Sequence, residues 1–234
     1  MRSDIDMVFV RENTEDVYRG IEFNLDENTA ICLRVITKIG SERIARYAFE
    51  MARKRKKPSR VTVIHKSNVM RVTDGLFSKV CKDISSEYPD IYTDEMYVDA
   101  AAMELIRSPQ IFDVIVTTNM FGDILSDEAA MTIGGLGLAP GANIGDKYAL
   151  FEPIHGCAPK LAGKKVANPT SMILSSKLML EWLGKKYKDS SYLEAADSIE
   201  RALIETLNAK ILTEDLGGTA KTNEFGGAIS KRIT

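Results

Sequence analysis

Short apolar runs rich in β-branched residues alternate in this chain with amphipathic segments, and this alternation limits the possible fold more than any other feature. The runs VTVIH at 61–65 and FDVIVTTN at 112–119 are typical of buried strands. The segments around them carry apolar residues three and four positions apart, as helices do. Strands that alternate with helices predict a parallel sheet in an α/β fold.

The remaining segments fit the same scheme. IDMVFV at 5–10 is typical of a strand, and residues 18–40 predict a hairpin or arm with its turn at NLDEN. A helix is expected from Ser41, with that serine as its cap, to the cation run RKRKK before Pro58. Further helices are predicted at 75–88, 94–109, 169–184 and 191–210.

A glycine-rich segment, GGLGLAPGANIGDK at 134–147, is the strongest break in the pattern, and we expect it to form a loop. The 234 residues, 44% of them hydrophobic, suit one large domain or two lobes. The break therefore predicts lobes at 1–133 and 134–234.

Composition excludes several classes of function. A formal net charge of −2 gives no overall field for nucleic acid or an anionic membrane, and RKRKK is interpreted as a solvated helix end. Three cysteines without a CxxC pair indicate neither a disulfide framework nor a zinc site, and they fit a reducing cytoplasm. No segment offers the ~18 apolar residues of a membrane span. We expect a soluble, cytoplasmic protein.

Two aspartates, Asp123 and Asp127, follow the strand at 112–119 and would project from one face of the next helix. Like charges at this spacing repel each other, and a divalent cation between them would remove the repulsion. Aspartates are also favoured in the first turn of any helix by its dipole. The pair alone therefore leaves a magnesium-type site and a helix start as alternatives.

Seven segments, in order along nearly the whole chain, resemble the β-decarboxylating dehydrogenases, which include isocitrate, homoisocitrate and isopropylmalate dehydrogenases. They are RENTEDVYRGIE, HKSNVMRVTDGLF, DEMYVDAAAMEL, NMFGDILSD, GGLGLAPGANIG, EPIHGCAPKLAGKKVANP and LTEDLGG. The first is most similar to the isocitrate and homoisocitrate branches. The resemblance implies a two-lobed α/β sandwich with a dimerisation arm, distinct from a Rossmann fold. It also implies oxidative decarboxylation of isocitrate to 2-oxoglutarate and CO₂ with reduction of NAD(P), and homoisocitrate or 3-isopropylmalate dehydrogenase is the alternative.

The resemblance also implies roles for individual residues. Arg11 and Asn68 would bind substrate, and Tyr18 and Lys66 would be the acid–base pair, with Lys66 reaching the site from the neighbouring subunit of a homodimer. The metal and the nearby Arg11 cation would have to lower the pKa of both groups from ~10 before they exchange protons well at neutral pH. The family's metal ligands for Mg²⁺ or Mn²⁺ match Asp99, from the partner subunit, together with Asp123 and Asp127.

For the cofactor, no GxGxxG follows a strand. The resemblance implies instead that EPIHGCAPKLAGK binds a dinucleotide through His155, Gly156, Ala158, Pro159, Lys160 and, further on, Asn168. Lys160 suits the 2′-phosphate of NADP. Leu161, Glu214 and Gly218 stand where NADP enzymes often carry other residues, so NAD stays the alternative.

The resemblance begins part of the way into the family's pattern. A segment of about 100 residues, which carries the first part of the large domain, is expected to be missing. Residues 1–133 would then be the small domain, for dimerisation and metal, and 134–234 the C-terminal part of the cofactor-binding domain. An enzyme and a non-catalytic subunit or fragment are both compatible with this.

Overall fold

The chain divides into two units between Thr132 and Ile133. The computed structural model describes residues 4–55 and 59–233. The break expected from the glycine cluster lies beside this division, whereas the roles assigned to the two lobes stay predictions.

The first unit contains a four-stranded sheet in the order β1-β6-β4-β5, and every neighbouring pair is parallel. This confirms the parallel α/β sheet. Its strands are β1 (Val8–Arg11), β4 (Arg60–His65), β5 (Tyr92–Tyr97) and β6 (Val114–Thr117).

Helices cover both faces of this sheet because its inner strands are apolar on both sides. Val114 and Val116 pack with the cluster that includes Phe49, whereas Ile115 between them packs with Leu105 on the opposite face. The helices of this unit are α1 (Lys38–Lys54), α2 (Thr73–Ser85), α3 (Val98–Arg107) and α4 (Asn119–Thr132).

The predicted start of α1 was wrong. The helix begins at Lys38, and its cap is Thr37, whose hydroxyl accepts a hydrogen bond from the backbone N–H of Gly40 at 3.0 Å. Ser41 is fully buried inside the first turn. Arg53 and Lys54 at the end of the helix are exposed, as expected of a solvated end, whereas Arg55 is partly buried and lies 2.6 Å from Asp113. Lys56, Lys57 and Pro58 of the predicted helix end lie outside the described residues.

The helix expected at 94–109 begins only at Val98, and the residues before it form β5. The sequence of β5 is too polar to suggest a strand. Asp94 fits in the sheet because it bonds to the neighbouring strand β4 instead of to solvent. Its carboxylate accepts hydrogen bonds from Arg60, at 2.7 Å, and from the hydroxyl of Thr62, at 2.9 Å.

The predicted arm is an antiparallel hairpin of β2 (Glu22–Asp26) and β3 (Thr29–Cys32). Every residue of β2 is exposed, including Phe23 and Leu25. The arm therefore presents apolar side chains on a strand that the first unit does not cover.

The second unit has a hairpin of β7 and β8 with three helices. The prediction of a loop over 134–147 is wrong for Pro140–Ile144, which forms β7. Gly141 permits this pairing, since a Cβ there would lie 2.8 Å from the carbonyl oxygen of Glu152. The elements are β7 (Pro140–Ile144), β8 (Ala149–Pro153), α5 (Thr170–Tyr187), α6 (Ser190–Asn208) and α7 (Thr222–Ser230), of which α7 was not predicted.

The parallel sheet also brings distant segments together. Arg11 ends β1, Lys66 follows β4, and Asp99 comes two residues after β5. Because the carboxyl ends of parallel strands meet at one edge, these side chains share that edge with the start of α4. Within the described residues, none of the helices has the length and apolar character that crossing a membrane requires.

Candidate active site

Arg11, Tyr18 and Asp123 meet at the carboxyl edge of the sheet. The Nη1 atom of Arg11 lies 2.5 Å from Oδ1 of Asp123, and the hydroxyl of Tyr18 donates to Oδ2 at 2.8 Å. The Arg11 guanidinium also lies 5.3 Å from the centre of the Tyr18 ring. The three side chains therefore form one cluster around a single carboxylate.

Two residues that sequence reasoning missed build this cluster. Asn119 accepts hydrogen bonds from Nε and Nη2 of Arg11, at 2.9 and 2.7 Å, which fixes the plane of the guanidinium. Gly122 leaves room for the arginine, because a Cβ there would lie 2.6 Å from Cγ of Arg11. Their position within NMFGDILSD was the available signal, since it places both on the helix that carries Asp123.

Lys66 and Asp99 form a second pair at the same edge. Their side chains lie 2.5 Å apart, and the ammonium also lies 5.8 Å from the centre of the Tyr97 ring. β4 and β5 are neighbours in the sheet, so the residues that follow them come together. Arg11–Asp123 and Lys66–Asp99 are thus two separate cation–carboxylate pairs at this edge of the sheet.

These contacts change proton affinities. The pKa of Tyr18 is raised, chiefly because its hydroxyl donates a hydrogen bond to the Asp123 carboxylate, although the Arg11 cation opposes this shift. The pKa of Asp99 is lowered because the ammonium of Lys66 donates to it. The lowering expected for Tyr18 depends on the metal as well as on Arg11, because a cation at Asp123 would offset the carboxylate charge that raises the pKa of Tyr18.

Asp123 and Asp127 fit a divalent cation in kind and position. Both are exposed and lie one turn apart on α4, as the sequence predicted. Carboxylate oxygens are the ligands that Mg²⁺ and Mn²⁺ prefer. No group of three acidic, histidine or cysteine side chains is assembled for an ion within the described residues. Asp99 lies in the other pair, so its contribution from a second subunit stays a prediction.

Asn68 is exposed in the turn that follows Lys66. The structure gives it no contact with the Arg11 cluster, and its predicted place near substrate stays a prediction.

The predicted cofactor loop lies in the second unit and is open to solvent. His155, Gly156, Pro159 and Lys160 are exposed, and Nδ1 of the histidine lies 2.8 Å from the carbonyl oxygen of Gly156. Ala158 has a left-handed backbone, with φ of 41°. A side chain at 156 would meet no heavy atom within 4 Å, so the space beside this glycine is free. That space suits the close approach of a phosphate to the backbone.

Asn168 is placed differently, because its side chain is buried and bound within the protein. Its oxygen accepts from the backbone N–H and hydroxyl of Thr170, at 3.0 and 2.6 Å, and its nitrogen donates to Asp215 at 2.9 Å. The residue therefore ties the TEDLGG segment to the start of α5. Its contact with adenine stays a prediction.

Substitution by alanine is expected to destabilise the protein at Gly218 but not at Gly156. At Gly218 a Cβ would lie 2.0 Å from the carbonyl oxygen of Leu212. Gly218→Ala should therefore lower the free energy of unfolding by about 1–3 kcal/mol, the usual cost of overpacking. Gly156→Ala should change it by less than about 0.5 kcal/mol. Urea denaturation of both variants measures the difference.

Gly156→Ala also tests ligand binding, because the added methyl group should fill the space beside the loop without disturbing the fold. We expect it to weaken dinucleotide binding, measured by calorimetric titration. Equal urea midpoints for the two variants would contradict the close approach at Gly218, and unchanged dinucleotide affinity in Gly156→Ala would contradict the role of the loop.

Known proteins share the sequence and the fold of this chain. Residues 1–229 match the family model described as isocitrate/isopropylmalate dehydrogenase. The chain is 53% identical over its whole length to a 3-isopropylmalate/3-methylmalate dehydrogenase of Methanocaldococcus jannaschii, of which it covers 69%. It is 54% identical to a homoisocitrate dehydrogenase of the same organism, with 98% of this chain and 63% of the relative covered.

A solved structure is similar as well. The crystal structure of isocitrate dehydrogenase from Methylococcus capsulatus superposes with a TM-score of 0.92 and 46% identity, and the match covers 99% of this chain and 68% of that one. The fold expectation is thereby confirmed. Through its sequence and its fold, the chain belongs to the isocitrate/isopropylmalate dehydrogenase family.

Proposed function

We propose that the protein catalyses metal-dependent oxidative decarboxylation of a 2-hydroxy-3-carboxy acid with reduction of NADP or NAD. The observation that carries the proposal is the cluster of Arg11, Tyr18 and Asp123 at the carboxyl edge of the sheet. It supplies a fork for a carboxylate, a proton carrier and a metal ligand around one point. Family membership supplies the dehydrogenase class.

Each side chain has a distinct task in this reaction. Arg11, held by Asn119, presents its guanidinium to a substrate carboxylate. Tyr18 and Lys66 hold and move the protons that leave the hydroxyl and return to carbon. When bound, Mg²⁺ or Mn²⁺ at Asp123 and Asp127 would lower the pKa of the substrate hydroxyl and stabilise negative charge on its oxygen.

We propose that the substrate is one of three acids. Isocitrate is favoured by RENTEDVYRGIE, which resembles the isocitrate and homoisocitrate branches. A relative named for 3-isopropylmalate/3-methylmalate is 53% identical and one named for homoisocitrate is 54% identical. These identities favour neither of the two acids over the other. All three share the hydroxyl and the adjacent carboxylates that Arg11 and the aspartates would address.

For the cofactor we propose NADP, with NAD as the alternative. Exposed Lys160 in the loop after His155 is suited to a 2′-phosphate. Gly218 argues for NAD, because the carbonyl of Leu212 leaves no room for the arginine that NADP enzymes often carry there.

We also propose that the active form is a homodimer with shared sites. Phe23 and Leu25 on the arm are 50% and 63% exposed, and a contiguous exposed apolar patch marks a surface where a protein can bind a partner. Lys66 and Asp99 would then serve the site of the neighbouring subunit.

The testing experiment measures NAD⁺ and NADP⁺ reduction at 340 nm with each of the three acids, with and without Mn²⁺, on the full chain. We expect one acid to be turned over in the presence of Mn²⁺ and the rate to fall to background with EDTA. Re-addition of Mn²⁺ after EDTA is the control, since it should restore the rate.

The chain spans about two thirds of its curated relatives, between 67% and 69% of the first three. A folded sample without turnover of any acid would therefore contradict the proposal for this chain and favour a non-catalytic subunit or fragment. Turnover that resists EDTA would contradict the metal.

A further inference from the structure

Arg34 lies between two buried aspartates beneath the proposed site. Its side chain is only 10% exposed, and the carboxylates of Asp16 and Asp74 are fully buried. The Nε atom lies 2.7 Å from Asp16, and Nη1 lies 3.1 Å from Asp74. Buried charges cost free energy unless they are paired, so this triad holds its members in fixed relative positions.

Asp16 connects the arginine to the Tyr18 and Asp123 side of the site. One carboxylate oxygen accepts from the backbone N–H of Val17, at 2.9 Å, at the start of the short turn that carries Tyr18. The other accepts from the N–H of Met120, at 3.1 Å, in the first turn of α4. Asp16 therefore places both partners of the Asp123 hydrogen bond.

Asp74 connects the same arginine to Lys66. Its Oδ2 atom accepts from the backbone N–H of Lys66 at 2.6 Å, directly after β4. Arg34 meets the other oxygen. The main chain of the second proton carrier is thus held by a carboxylate whose charge Arg34 balances.

Arg34 also touches α4 directly. Its Nη2 atom donates to the hydroxyl of Thr118 at 2.6 Å, and its guanidinium lies 4.6 Å from the centre of the Phe121 ring. Thr118 directly precedes α4 and Phe121 lies in its first turn, and this helix carries the proposed metal ligands Asp123 and Asp127. The arginine fork is used in three directions, which a lysine cannot reproduce.

We propose that Arg34 is a positioning residue that sets, through Asp16 and Asp74, the places of Tyr18, the start of α4 and Lys66. The effect of Arg34 on catalysis rests on the proposed function, whereas its effect on the positions of the start of α4 and of Lys66 can be measured without turnover. Nothing in this role requires Arg34 to touch substrate.

The test compares amide hydrogen exchange, followed by NMR, in the full wild-type chain and in Arg34→Met and Arg34→Lys. The amide of Met120 reports the link through Asp16, and the amide of Lys66 reports the link through Asp74. The amide of Ala48, in the buried face of α1, reports general stability. We expect exchange at Met120 and Lys66 to become at least about tenfold faster relative to Ala48 in both variants. Arg34→Lys serves if Arg34→Met does not fold.

Arg55→Met is the matched control. Arg55 also bridges two aspartates, Asp113 at 2.6 Å and Asp6 at 2.5 Å, and Asp113 is buried. We expect this variant to leave the Met120 and Lys66 rates unchanged relative to Ala48. The proposal is overturned if Arg55→Met gives the same pattern, if only one of the two amides responds to Arg34→Lys, or if all amides accelerate together.

Kinetics separate the proposal from the proposed function. Arg34→Lys should lower kcat by about tenfold or more and leave KM for the dinucleotide unchanged, because proton carriers are displaced and the cofactor loop is not. Unchanged kcat with accelerated exchange would overturn the positioning role. If the wild-type chain turns over no acid, the proposed function fails, and the exchange ratios still decide the link through Arg34.

Discussion

Asp123→Asn is expected to reduce Mn²⁺-dependent kcat/KM by roughly 10³-fold, the loss that follows when several kcal/mol of metal stabilisation are removed. The amide keeps the size of the side chain but carries no charge. It therefore loses the ion pair with Arg11 and the ligand strength for a divalent cation. Initial rates at 340 nm give the activity, and electron paramagnetic resonance of free Mn²⁺ gives the binding.

Asp90→Asn is the matched control, because Asp90 is another exposed aspartate paired with an arginine, 2.6 Å from Arg53. We expect its rates and its Mn²⁺ binding to equal those of the wild type. Asp123→Asn that binds Mn²⁺ as tightly as the wild type would contradict the metal site, whatever its activity.

Tyr18→Phe is expected to lower kcat by about 10²–10⁴-fold, the usual contribution of a positioned acid or base. Tyr18 is 52% exposed and its hydroxyl donates to the exposed carboxylate of Asp123, so the urea midpoint should stay unchanged. Steady-state kinetics and urea denaturation of the same sample check both statements.

Tyr92→Phe is the corresponding control. Tyr92 also lies under an arginine, with the guanidinium of Arg60 at 5.4 Å from its ring centre, and is 63% exposed. This variant should retain wild-type kcat. Equal kcat for Tyr18→Phe and the wild type would contradict the acid–base assignment.

The sequence was sufficient to predict a parallel sheet and three of its four strands, and to place Asp123 and Asp127 on the helix after β6. β-branched runs such as 61–65 are buried on both faces, so their pattern survives in the sequence. The family pattern located Arg11, Tyr18 and Lys66. Their assembly at one edge follows from parallel strands, because every strand ends on the same side.

Other features depended on contacts between distant residues. Asp94 occupies a strand because Arg60 and Thr62 bind it, and no local pattern reveals those partners. Gly122 is required by the side chain of Arg11, more than one hundred positions away in the chain. Arg34 has the same character, because only the folded chain brings Asp16 and Asp74 to it.

The Arg11–Asp123 pair would also determine how the proposed acid and the proposed ion affect each other's binding. Asp123 is neutralised by Arg11 in the free protein, so an ion that binds there must compete with a guanidinium 2.5 Å away. An acid whose carboxylate engages Arg11 releases Asp123 from that competition. By linkage, the acid and the ion then raise each other's affinity by the same factor, and each is bound more weakly when it arrives alone.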